Sequence, residues 1–303
     1  MVHLVSVIMS TYNESEEYIR ASVGSILDQT LRDLELIVVV DNPNNEQAVR
    51  TVESFAKNDG RVVVLRNEKN LGLVKSLNKA IAEAKGEVLA RMDADDIAVS
   101  HRLEMQLSYM KREQADILGA VTQYIDEDGK DTDGRHQYRT EEQLLRALQF
   151  ENGLCHPTWM VRREVYEKLN GYRDIDSCED YDFLLRAVEH GYHIKMINEV
   201  LLYYRYNTNG ISQSREFRQF LAFSYLSEHR NAPSSVSEDE IRNYVNRNMT
   251  TKNQEHYSRA KELFQKSKQQ NNPLSSAVLL LQAGCTSRFF RKRLFNSLRK
   301  RAV

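Results

Sequence analysis

The chain has 303 residues, of which 41% are hydrophobic and 28% charged, and a formal net charge of −1. This is the balance of a globular protein long enough to bury most of its apolar surface, and it favours one large domain plus an appendage. The near-zero charge excludes a global attraction to nucleic acid, and apolar runs such as Ala277–Leu281 are far too short to cross a bilayer.

The first half alternates strand-like and helix-like segments. Leu4–Met9 is an apolar run ending at Ser10-Thr11, and Asn13 with Glu16 reads as a capping box that opens a helix through about Gln29. Leu34–Val40 is almost continuously apolar, as a strand covered on both faces of a parallel sheet must be. A polar helix over 45–58 and a strand at Val62–Leu65 follow. A helix over Leu73–Ala84 then closes at Gly86 as C-cap, and a strand over Val88–Met92 runs directly into Asp93. This repetition predicts an α/β fold with a doubly wound, mostly parallel sheet. Ligands of such sheets bind beyond the carboxyl ends of the strands, where Ser10-Thr11-Tyr12, Asp41-Asn42 and Asp93-Ala94-Asp95 all fall.

Farther on, strand-like pieces (Ile117–Ile125, Pro157–Val161, His193–Ile197) alternate with helical ones (Glu141–Phe150, Arg163–Leu169, Tyr181–His190), with Asp128-Gly129 as a turn. Past about Gln213 the chain is polar and helical in character. Ser237 with Glu240 forms a second capping box, and Asn271-Asn272-Pro273 breaks the chain before a final helix. That helix carries Leu274, Val278, Leu281 and Cys285, then Phe290, Leu294 and Leu298, at helical spacing. With Phe289, Phe295 and seven basic residues after Thr286 (Arg288, Arg291, Lys292, Arg293, Arg299, Lys300, Arg301), it reads as a basic amphipathic helix. Such a helix serves an anionic membrane surface, or it packs on the protein or across a homodimer with its basic residues in solvent. Cys155, Cys178 and Cys285 are too scattered for a metal site or a disulfide framework, so a reducing, cytoplasmic setting is expected. No basic segment precedes a long apolar stretch at the N-terminus, so no signal peptide is expected.

Three acidic groups carry the candidate chemistry. Asp93, Asp95 and Asp96 end a strand, where carboxylates can hold Mg²⁺ or Mn²⁺ against a diphosphate; equally, such residues cap helices. Glu179-Asp180 opens a helix whose dipole keeps a carboxylate ionised, as a general base requires; acidic first turns are also ordinary capping. Asp41 could accept a hydrogen bond from a base, or form an Asx turn.

In this order and spacing the features resemble family 2 glycosyltransferases with a GT-A fold. The resemblance runs through Val5-Ser6-Val7-Ile8-Met9-Ser10-Thr11-Tyr12-Asn13, Glu35–Asp41, Asn70-Leu71-Gly72-Leu73 and Ala84-Lys85-Gly86-Glu87. It continues through Arg91-Met92-Asp93-Ala94-Asp95-Asp96 and Arg102-Leu103-Glu104, then Gly171-Tyr172-Arg173 and Glu179-Asp180-Tyr181-Asp182, covering roughly residues 4–212. It implies a catalytic domain over 1–212 and a helical region over 213–303. The implied reaction is inverting, metal-dependent transfer from a nucleotide sugar, usually a UDP-sugar, to a glycan or lipid-linked acceptor in capsule, exopolysaccharide or O-chain synthesis. That setting places the protein peripherally at the inner face of the plasma membrane.

By the same resemblance Thr11, Tyr12, Asn13 and Asp41 contact the nucleoside, and Asp93 and Ala94 lie at the ribose and diphosphate. Asp95, with Asp93, holds Mn²⁺ or Mg²⁺, Asp180 is the base, and Glu179 places the acceptor. Val40 stands where many relatives have a first acidic residue. Ser76-Leu77-Asn78 stands where they often have Arg, which leaves Lys75 for the phosphates. Asn207 replaces a frequent His, and Arg205 is the remaining candidate for the diphosphate. His156 and Trp159 fall on the acceptor side. A sugar-nucleotide nucleotidyltransferase would show a Gly-rich, basic loop after the first strand, which Ser10–Glu14 lacks. A non-catalytic assembly subunit would have lost the acidic residues, all of which are present.

Overall fold

The computed structural model describes residues 5–175, 177–206 and 216–301, with the backbone alone over 298–301. The chain divides into two compact units. The first is built from residues up to Leu145, Asn152–Asp174 and Glu179–Thr208; the second comprises Arg146–Glu151, Ile175–Cys178 and the chain from Asn209 onward.

The first unit alternates β1 (Val5–Thr11), α1 (Glu16–Leu27), β2 (Leu34–Val40), α2 (Glu46–Asn58), β3 (Val62–Arg66), α3 (Leu73–Glu83) and β4 (Val88–Asp93). All seven residues of β2 are buried, which is why its sequence never alternates. After β5 (Ile97–Ala98) and α4 (Arg102–Glu113) come β6 (Ile117–Ile125), β7 (Asp131–Arg135) and α5 (Glu141–Ala147). A 3₁₀ turn (His156–Thr158), β8 (Met160–Arg162), α6 (Arg163–Leu169), α7 (Glu179–Glu189) and β9 (Ile194–Arg205) follow.

The strands order as β3-β2-β1-β4-β8-β6-β9-β5, with β7 on β6. Pairing is parallel from β3 through β4 and between β6 and β9, and antiparallel where β8 inserts. From β1 the chain moves outward to β2 and β3, then crosses back to β4 on the other side of β1. β1 and β4 therefore flank the switch point, where a ligand crevice opens. In register Ser10 pairs with Asp93, and Thr11 with Val40, so the three strand ends finish level.

Several local expectations are corrected. α1 is capped by Ser15, whose Oγ accepts from the Tyr18 amide, while Asn13 Oδ1 accepts from Asn42 Nδ2 at 2.8 Å. The C-cap of α3 is Ala84, in an extended conformation; Gly86 instead donates its amide to Ser6 Oγ at 2.7 Å, in a buried network with Glu35. Pro157 lies in the 3₁₀ turn, because it has no amide for a sheet ladder, and the strand begins only at Met160. The acidic pair opens its helix at Glu179 as expected, and the strand expected to end at Ile197 runs on to Arg205.

The second unit is helical: α8 (Glu216–Glu228), a 3₁₀ turn, α9 (Glu238–Asn248), α10 (Thr251–Lys268), α11 (Pro273–Thr286) and α12 (Arg288–Arg301). The Ser237/Glu240 capping box forms as expected. The final helix is two helices broken at Ser287, and the apolar stripe divides with them. Phe289 and Phe290 are buried against Phe217, Tyr257 and Phe264, whereas Leu274, Val278 and Leu281 of α11 are 78%, 53% and 70% exposed. Lys292 and Arg293 are not loose cations, since they pair with Glu228 and Glu216. The side chains of Leu298, Arg299, Lys300 and Arg301 lie outside the described residues, as does Asn207. No described helix is long and apolar enough to cross a membrane.

Candidate active site

At the end of β1, buried Thr11 donates its hydroxyl to Glu14 Oε2 at 2.7 Å, and the Tyr12 amide donates to the same oxygen; Tyr12 itself is 41% exposed. At the end of β2, Asp41 is buried and accepts from Asn67 Nδ2 (2.7 Å), the Leu71 amide (2.8 Å) and the Gly72 amide (2.9 Å). Its carboxylate thus shapes the loop into α3, where Gly72 has φ of 88° and a non-glycine residue would be strained. Lys75 stands exposed beside Asp174, 3.6 Å away.

The end of β4 is the centre. Ligand oxygens of Asp93, Asp95 and Asp96 lie within 4.8 Å of one another. Asp93 is fixed at both ends: its carbonyl accepts from Ser22 Oγ at 2.7 Å, and its carboxylate pairs with Arg91 at 2.5 Å. Asp96 Oδ1 accepts the Arg205 amide at 2.9 Å, while the buried Oδ2 has no partner. Burial, then the neighbouring Asp93 and Glu14 carboxylates, push Asp95 up to about 7. Burial, then the Asp93 and Asp95 carboxylates, push Asp96 well above the usual range. Hard oxygen donors, an orphaned buried oxygen and mutual repulsion are what a bound Mg²⁺ or Mn²⁺ would relieve, so the residues fit a divalent cation.

On α7, Asp180 accepts from Asn152 Nδ2 at 2.6 Å and from the Tyr181 amide at 2.7 Å. Burial raises its pKa against those hydrogen bonds. Glu179 is pushed up to about 8 by burial and then by Asp180. Arg91 is the cation shared by both acidic groups: it lowers the pKa of Asp95 and Asp96 and also of Glu179 and Asp180. It is buried, with Nε and Nη1 unpartnered. A lone arginine inside an apolar strand was the signal in the sequence, and Arg91, Glu14 and Asn152 are the site residues to which sequence reasoning gave no role.

Three expected positions sit differently. Trp159 is fully buried against His156 and Phe183, so it has no face for a sugar. His156 is 8% exposed and bonded to Tyr172, so it too lies beneath the crevice wall and does not line it. Arg205 is 6% exposed; its Nε bonds the Asp95 carbonyl and its Nη1 the Asp126 and Glu127 carbonyls, beneath the Tyr18 ring. Those contacts make it a clamp on the acidic loop.

The model of the family described as "Glycosyl transferase family 2" matches residues 6–170. The chain belongs to this family. It is 37% identical over 227 residues to an uncharacterized glycosyltransferase of Methanocaldococcus jannaschii, covering 73% of this chain and 77% of that one. It is 30% identical over 217 residues to the O-antigen biosynthesis glycosyltransferase WbnJ of Escherichia coli, covering 71% and 84%. Among solved structures, S. aureus TarS 1–349 in complex with UDP-GlcNAc superposes with a TM-score of 0.61 at 20% identity, over 93% of this chain and 80% of that one. At that identity the likeness concerns the fold, which is GT-A. The family membership makes the chain a glycosyltransferase.

Proposed function

We propose that the protein is an inverting glycosyltransferase. It would move a sugar from a UDP-sugar to a hydroxyl of a glycan or lipid-linked acceptor, in synthesis of a surface polysaccharide. The observation that carries this is the pairing, at one end of the sheet, of the Asp93/Asp95/Asp96 cluster with the buried Glu179/Asp180 pair. The O-antigen role named for WbnJ and the UDP-GlcNAc named in the TarS complex support the polysaccharide setting and the donor class.

In this reading residues 1–212 are the catalytic domain. Thr11, Tyr12, Asn13 and Asp41 frame the nucleoside, and Lys75 offers an exposed cation to the phosphates. Asp95 and Asp93 hold Mn²⁺ or Mg²⁺, which supplies charge neutralisation for the leaving diphosphate. Asp180 takes the proton of the acceptor hydroxyl while that oxygen bonds to the anomeric carbon; the bond from this carbon to the diphosphate breaks, and the electron pair leaves with the nucleotide. Glu179 orients the acceptor. One displacement inverts the centre and needs no covalent enzyme intermediate. The helical region over 213–303 would hold the protein at the cytoplasmic membrane face through the exposed Leu274, Val278 and Leu281 of α11 and the basic residues that follow.

The test is thermal shift with UDP, GDP, dTDP and CDP, each with and without Mn²⁺, on wild type and Asp95→Ala. A ligand that binds the native state raises the melting temperature. The expected result is a Mn²⁺-dependent rise with UDP that is lost in Asp95→Ala. A well-folded protein that shifts with no nucleotide would refute the metal–diphosphate reading and favour an assembly subunit.

A further inference from the structure

Beneath Glu179 lies a buried hydrogen-bonded chain. Tyr166 and Tyr172 hydroxyls are 2.9 Å apart, and the Tyr172 hydroxyl is 2.8 Å from His156 Nε2. On the other side of the ring, His156 Nδ1 is 4.0 Å from Glu179 Oε1. The parts cannot swing. Tyr172 is held by its amide to Asn78 Oδ1 (2.9 Å) and by Asn78 Nδ2 to its carbonyl (2.8 Å), and the His156 ring lies 4.5 Å from that of Trp159.

Counting donors fixes the direction of the chain. If Nε2 carried the imidazole proton, it would donate to Tyr172 and Tyr172 to Tyr166. The Tyr166 hydroxyl proton would then be buried with no acceptor among the described residues. With the order reversed, Tyr166 donates to Tyr172, Tyr172 donates to Nε2, and the one remaining proton sits on Nδ1, facing Glu179 Oε1 at 4.0 Å. Each buried hydroxyl proton of the chain then has an acceptor. Burial and the nearby Arg91 hold the ring neutral, so a single tautomer carries this pattern.

We propose that His156 is a positioning residue that holds the Glu179 carboxylate through Nδ1–H, its tautomer set by the Tyr166–Tyr172 hydroxyl chain. The 4.0 Å separation then closes when Glu179 ionises and takes up an acceptor, as hydrogen bonds of ligand-free sites do. The charged and titratable groups around the pair are Asp180 on α7, Arg91 and Asp93 on β4, and Tyr172. The proposal rests on the glycosyltransfer reading only for the role of Glu179; the tautomer is independent of it.

The experiment records the ring nitrogens of His156 in full-length protein labelled with ¹⁵N-histidine, from about pH 5 to 8. His156→Asn identifies the signals by their loss. The expected result is a neutral ring throughout with the proton on Nδ1, a shift of Nε2 in Tyr172→Phe, and a shift of Nδ1 in Glu179→Gln. A proton on Nε2, titration of the ring near 6.5, or an Nδ1 signal indifferent to Glu179→Gln would overturn the proposal. The kinetic arm measures UDP release from UDP-GlcNAc, UDP-glucose and UDP-galactose. His156→Gln places its amide where Nε2 was and should lose about 10–100-fold in kcat with donor KM unchanged; His156→Asn places its amide where Nδ1 was and should recover most of it. Equal losses in both variants refute the positioning role. A wild type that releases no UDP refutes the glycosyltransfer reading, and the ring signals still decide the His156–Glu179 pair.

Discussion

The carboxylate that anchors α7 offers a test of how the catalytic helix is held. Asp182 is fully buried and accepts from Arg186 Nε at 2.8 Å and from Arg173 Nε at 3.0 and 3.2 Å, with a further short contact to Arg173 Nη2. Asp182→Asn keeps the shape and removes the charge, which leaves two guanidinium groups around a neutral amide. Removing one partner of a buried ion pair costs about 3–5 kcal/mol. The low end applies here, because Arg186 keeps the Leu169 carbonyl at 2.7 Å and the Gly171 carbonyl at 3.0 Å, and Arg173 is 15% exposed and can turn to solvent. A loss of about 3 kcal/mol corresponds to a melting temperature lower by roughly 6–12 °C for a unit of this size. At about 3 kcal/mol/M in urea, the midpoint falls by about 1 M.

The assay is built into the chain. Trp159 is its single tryptophan, fully buried with its ring 6.0 Å from Phe183 of α7, so its fluorescence follows the catalytic unit alone. A midpoint within about 0.3 M of wild type would show that the three-residue ionic cluster does not anchor the helix, and would refute the argument.

Further outcomes follow from the same geometry. Gly171 has φ of 68°, and a Cβ there would stand 2.5 Å from Asn78 Oδ1. Gly171→Ala should therefore cost about 2–3 kcal/mol by Trp159-monitored unfolding, from left-handed strain plus weakened Asn78–Tyr172 hydrogen bonds; a cost under about 1 kcal/mol would contradict it. Burial raises Glu179 from 4.5 to about 8, so its contribution to stability is complete below 4.5 and is lost as pH rises through about 8. In chelator, wild type should lose urea resistance between about pH 5 and 8, and Glu179→Gln should flatten part of that decline; an unchanged slope counts against the shift. Wild type should co-float with phosphatidylserine-containing vesicles and, less well, at high salt. Leu274→Ser with Leu281→Ser should weaken this at least about tenfold, since each buried leucine contributes about 1.5–3 kcal/mol; full binding by the double variant would exclude α11 as the contact.

The sequence by itself determined the catalytic half as far as local pattern reaches. Val38, Val39 and Val40 in unbroken succession require a strand covered on both faces, and a strand that runs into Asp93 puts that residue at a carboxyl end whatever its neighbours are. The order of β1, β2 and β4 with their terminal polar residues was therefore legible, as was the Ser237 capping box, because each depends on spacings of a few residues. Tertiary structure alone decided what each polar side chain faces. Arg205 has the residue type of a diphosphate contact, yet its guanidinium is bound to the chain itself through three carbonyls. Phe290 and Leu281 share one helical periodicity, but the break at Ser287 buries the first and exposes the second. The shared role of Arg91 between Asp93 and Glu179 joins residues far apart in the chain. No local spacing encodes it, because Coulomb forces and desolvation depend on distances that only the folded sheet sets.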